Sequence, residues 1–138
     1  MKKLVLFVFL SCTFMSTVAS AGEKIKFTSA GVLCLEKNPD LVEYLYGVTM
    51  AIGSENPRQE LPAAIKKLKE KSNGTCGLLN HTENIIATIV KKQKSQWKGL
   101  AYNYIEFKIL SINGKENSNR TSMWTASLVD APLYKNIN

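Results

Sequence analysis

One histidine, His81, is the only side chain among 138 residues whose ordinary pKa suits it to act as a base near neutral pH. That scarcity narrows the chemistry at once. Ser-His-Asp and Cys-His arrangements both need such a base, and no second candidate exists. No G-x-S-x-G, P-loop or dinucleotide fingerprint is present. The acidic residues are scattered and do not gather with His and Cys at ligand spacing, so neither a metal nor a cofactor is expected. Paired-carboxylate chemistry needs only that two acids meet in the fold, which the sequence leaves open. The reading is of a non-enzyme, with His81 a surface or helix-cap residue.

A long apolar run is also missing. The longest, Leu4 to Leu10, is followed directly by Ser, Cys and Thr, too short for a good membrane span. With Lys2 and Lys3 before it and Ala19-Ser20-Ala21 after it, it reads as a bacterial export signal cleaved after Ala21. A lipoprotein reading centred on Cys12 meets a poor lipobox in Phe9-Leu10-Ser11. The expected location is the periplasm, without stable membrane insertion. Cleavage would leave residues 22–138 and lower the net charge from +7 to +5 through loss of Lys2 and Lys3. That surplus favours acidic partners and is too small and dispersed to suggest nucleic acid. Three N-x-S/T sequons, at Asn73, Asn80 and Asn119, are chance matches in a bacterial chain.

Two cysteines survive cleavage, Cys34 and Cys76, and an even pair in an oxidising compartment reads as one disulfide. Closing a loop of about 42 residues removes roughly 4 kcal/mol of unfolded-state entropy in the chain-entropy description.

The periodicity predicts a mainly α domain of four or five helices over 22–112, with an irregular or strand-like tail over 113–138. A short helix capped by Thr28 or Ser29 runs to about Lys37. A second starts at Pro39, with Asn38 as cap. Leu41, Tyr44, Leu45, Val48, Ala51 and Ile52 share one of its faces, and Tyr46 and Met50 lie on another. A third spans about 61–72 and stops at Asn73-Gly74. The clearest, over 80–98, has a capping box in Asn80 and Glu83. Ile85, Ile86, Ile89, Val90 and Trp97 cover one arc of it, and Lys91, Lys92, Lys94 and Lys98 the other. That lysine arc is either a solvated face or a binding face. The segment 100–112 is read as helix, although Ile105, Phe107 and Ile109 alternate as in a strand. Asn113-Gly114 offers a hairpin turn instead.

The order of short motifs carries a resemblance. "TSAGVLCLEK", "YLYGVTMAIG", "TCGLLNHTENIIATIVKKQKSQ" and "GLAYNYIEFKIL" resemble the small periplasmic immunity proteins that neutralise type VI secretion amidase effectors. Cys34, Tyr44-Leu45-Tyr46-Gly47-Val48 and Cys76 match that family's features in order. A second cysteine pair often found in members is absent, and the tail from Asn113 has no counterpart. The resemblance implies a helical, disulfide-bonded protein that plugs the groove of a peptidoglycan amidase with a loop. The candidate loops are 53–60 and 73–82, with Arg58, Glu60, Leu79, Asn80 and His81 as partner-contacting residues. Gly47 and Ala51, four residues apart, form a small-x-x-x-small pair that serves internal packing or, as the resemblance implies, a homodimer. Competing readings are a small periplasmic stress chaperone and an accessory component of the envelope.

Overall fold

The computed structural model describes residues 22–79 and 82–137, and within them the chain is mainly antiparallel sheet. This overturns the mainly α expectation. The strands are β1 (Lys24–Phe27), β2 (Gly31–Cys34), β3 (Cys76–Leu79), β4 (Ile85–Trp97), β5 (Leu100–Ile112), β6 (Lys115–Glu116), β7 (Met123–Leu128) and β8 (Tyr134–Asn136). Two helices, α1 (Leu41–Ile52) and α2 (Pro57–Lys71), fall between β2 and β3. The sheet order is β3-β2-β7-β5-β4-β1-β8, with β6 paired to one end of β5.

Residues 85–97, expected as the clearest helix, form one arm of the longest hairpin. Two physical facts defeat the helical pattern. Ile85, Ile86, Thr88, Ile89 and Val90 are β-branched, and a run of such side chains packs better on a pleated surface than around a helical turn. The segment also has a complementary partner, because Ile105, Phe107 and Ile109 alternate on β5 and all three are buried. Lys98 and Gly99 then close a two-residue turn with φ of 48° and 80°, the left-handed pair that suits the twist of a hairpin. Asn113 and Gly114 make a second such turn, with φ of 53° and 79°, and lead into β6. The short helix expected from Thr28 or Ser29 is likewise absent, and Gly31–Cys34 is strand. The segment expected as a tail supplies β7, in the middle of the sheet between β2 and β5.

The connection from β1 to β2 shows how the sheet is shaped. Three residues, spanning at most about 14 Å between strand ends, join strands that three others separate. In a flat sheet those strands would lie roughly 19 Å apart. The sheet therefore rolls, and one face becomes an interior. Register puts Ile25, Ala87, Ile89, Ile105, Phe107 and Ile109 on that face, all buried, with the Phe27 and Phe107 rings meeting edge to face at 5.1 Å. Its two buried hydroxyls are satisfied: Thr125 Oγ1 donates to the Val32 carbonyl at 2.7 Å, and Ser127 Oγ accepts the Leu133 amide at 3.0 Å.

The opposite face carries Val32, Cys34, Cys76, Tyr102 and Ala126, covered by the helices through Leu41, Tyr44, Leu45, Val48 and Leu68. Helix α1 buries five of the six residues expected on its inner face, and Ile52 alone is exposed. It begins at Leu41, and Asn38 does not cap it. The Asn38 side chain instead accepts the Asp40 amide at 2.9 Å. Cys34 and Cys76 are directly opposite on β2 and β3 and are bonded, as expected.

Candidate protein-binding surface

Helix α1 is amphipathic in the wrong way for a wholly internal role. Its inner side is core, yet Tyr46 and Met50, one turn apart on the outer side, are 47% and 57% exposed. The Tyr46 ring lies against Trp97 with centroids 5.3 Å apart, which ties the helix to the tip of the β4–β5 hairpin. Trp97 pairs across the turn with Leu100, itself 41% exposed. Val129, whose amide donates to the Ala101 carbonyl, carries exposed apolar surface around the tip. Lys98 Nζ sits 4.8 Å from the Trp97 ring centroid, a cation over an aromatic face. Tyrosine, tryptophan and methionine are thus gathered on two rigid elements, with a charged rim.

Beside this surface, Thr28, Leu45, Thr49, Ile52, Leu128 and Leu133 line an apolar groove of about 350 Å³. On the other flank a cleft of about 90 Å³ lies between Lys37, Lys91, Gln93, Tyr104, Glu106 and Trp124. The Tyr104 hydroxyl is engaged there in both directions. It accepts the Asn38 amide at 2.8 Å and donates to the Asn38 carbonyl at 2.9 Å. Burial raises the Tyr104 pKa above its ordinary value, while the bond to the Asn38 backbone works the other way. Held so, the phenol is a clasp between β5 and the start of α1, with little freedom to transfer a proton. No group of three His, Cys, Asp or Glu among the described residues is placed to hold a metal ion, and no helix among them is long and apolar enough to cross a membrane.

The residues singled out in the sequence do not converge. Arg58 and Glu60 lie in the first turn of α2, both exposed, because the expected loop over 53–60 gives way to helix at Pro57. Leu79 is 2% exposed at the end of β3 and belongs to the core, out of reach of a partner. Asn80, His81 and the expected export signal lie outside the described residues. Gly47 and Ala51 do sit on α1, with Ala51 buried. A Cβ built on Gly47 would meet nothing within 4 Å, so no other described element approaches closely there. The glycine instead borders a cleft of about 190 Å³ with Tyr44, Ala64, Leu68 and Lys71. Sequence reasoning noted that Tyr46 and Met50 face away from the α1 core, but it did not bring Trp97 and Leu100 to them. The signal was Trp97-Lys98-Gly99-Leu100, a two-residue turn between β-forming runs.

Comparison with protein-family models, curated proteins and solved structures finds no significant match.

Proposed function

We propose that this chain is a binding protein, which acts by occupying a partner protein's surface through Tyr46, Met50, Trp97 and Leu100. The observation that carries this reading is the exposure of Tyr46 and Met50 together with the packing of Tyr46 on Trp97. Few residues dominate most interfaces, and tyrosine and tryptophan are enriched among them. Aromatic side chains already fixed in place lose little freedom on association, so more of the contact energy is retained as affinity. The helix and hairpin hold these groups in place before any partner arrives.

Inhibition of a peptidoglycan amidase effector in the periplasm is the specific form suggested by the motif order around Cys34, Gly47 and Cys76. It rests on that order and on the export signal. The helical fold that the resemblance implied is not the fold of this chain, and the groove-plugging loops it named are partly helix and strand.

The test is co-purification with, and inhibition of, a cell-wall amidase encoded nearby or delivered by competitors. The paired substitution Tyr46→Ala and Trp97→Ala should abolish capture while the chain keeps a single cooperative thermal unfolding transition. Capture that survives both substitutions would remove the aromatic surface from the interface. Suppression of client aggregation at low pH, without amidase binding, would favour the chaperone reading.

A further inference from the structure

From the geometry of β4 we infer a docking edge for an extended acidic segment of a partner protein, joined to the sheet as an added strand. The inference deepens the binding-protein reading by naming the chemistry of what is bound.

Strand β1 covers only the first part of β4, pairing at Ile86, Ala87 and Thr88. The cover ends where the Gly22 amide donates to the Ile89 carbonyl and the Ile89 amide donates to Glu23. Beyond it, residues 91–97 pair with β5 on one side, and no described strand pairs with them on the other. The direction of the free groups follows from the ladder. Trp97 and Leu100 flank a two-residue turn, so they form a hydrogen-bonded pair, and bonding alternates along an antiparallel pair. Ser95, Gln93 and Lys91 therefore bond to β5, while Lys92, Lys94 and Gln96 aim their amides and carbonyls away from it. The register slip between Ile89 and Lys91 leaves Val90 as the extra residue and reconciles this with Ile89 pointing outward to β1.

A row of three outward-facing residues is a template for another strand. Its charge selects which strand. Lys92 and Lys94 share one face of the sheet; Lys91 lies on the other, beside Lys37, and Lys98 closes the tip. Facing them are two acids: Glu23, 3.9 Å from Lys92 Nζ, and Glu106, opposite Lys91. A second copy of this edge would bring lysines against lysines, which is unfavourable for directly opposed residues. Lysine on an edge is a known defence against unwanted pairing. It deters neutral and basic strands, and for an acidic strand the same charges are complementary. Because Lys92 and Lys94 are two residues apart, the fitting segment carries acids at every second position.

The experiment is amide hydrogen exchange by NMR on the full chain, with a nine-residue peptide alternating glutamate and valine. A lysine–valine peptide serves as control. The expected result is slowed exchange at Lys92, Lys94 and Gln96 with the glutamate peptide alone. Lys94→Glu should weaken binding by about fivefold or more. Gln96→Pro removes one outward amide without removing charge, and should weaken binding while the chain stays folded. Equal binding of both peptides, binding without slowed exchange at these amides, or no binding would overturn the inference. So would slowed exchange of the same amides in the chain alone, because the edge would then be occupied already. Neither arm uses an amidase, so the edge and the aromatic surface fail separately.

Discussion

Gly47 shows how far a single residue can be read. An interior helical glycine costs roughly 1 kcal/mol relative to alanine, so close packing was the natural explanation to expect. The structure places it on the exposed side of α1 with open space where a Cβ would go. With no internal contact to offset that cost, the substitution Gly47→Ala should stabilise the protein by about 0.5–1 kcal/mol. In a domain of this size that is a rise in Tm of about 2–6 °C. Thermal unfolding monitored by circular dichroism measures it. A fall in Tm would mean that something outside the described chain, such as a second copy, approaches Gly47 closely. Gly31 is the opposite case, since a Cβ there would come within 2.6 Å of Leu133 Cδ1. The same residue type leaves open space at one site, while at the other a Cβ would oblige the Leu133 side chain to move.

Elements were legible where local pattern and tertiary environment agreed. Helix α1 was visible because its apolar face, with Leu41, Tyr44, Leu45, Val48 and Ala51, follows the helical period and meets the sheet with that face. The end of α2 was visible because Asn73 and Gly74 take the left-handed conformation that such residues tolerate. The hairpin was not. Ile85, Ile86, Ile89 and Val90 satisfy helical spacing as well as strand composition, and the apolar Ile86 and Val90 at less buried positions hide the two-residue alternation of burial that would have told them apart. Of the proposed binding surface, only the outward Tyr46 and Met50 were legible, because their neighbours come from the hairpin tip. The disulfide was legible from the even cysteine count and the expected export, and its placement across β2 and β3 gives it an element-scale consequence. Those strands have four residues each, and α1, α2 and their connections must be closed before they can pair. Replacing Cys34 and Cys76 together by alanine should cost about 2–4 kcal/mol. Urea unfolding of the oxidised and substituted proteins gives the difference. A loss under about 0.5 kcal/mol would show that the helices alone bring the strands together.

At the scale of the whole molecule, the core and the proposed recognition surface take different parts of one hairpin. The base of β4–β5 lies inside the rolled sheet, where Phe107 is fully buried and its ring meets Phe27. The tip projects beyond the cover of β1 and carries Trp97, Leu100 and the edge that no described strand pairs. Removing a buried phenylalanine side chain loses its transfer energy and leaves a cavity, together about 3–5 kcal/mol. Against a total of roughly 5–15 kcal/mol for a domain, Phe107→Ala should leave the chain marginal or unfolded at 37 °C. Trp97 is only partly buried, at the margin of the core and against an exposed Tyr46, so Trp97→Ala should cost less, about 1–2 kcal/mol. Urea unfolding of the two variants side by side measures both costs. A small loss for Phe107 would mean that the rolled face is not the core. A large loss for Trp97 would mean that the tip is held for stability, which would remove the physical reason for reading its exposed aromatics as a binding surface.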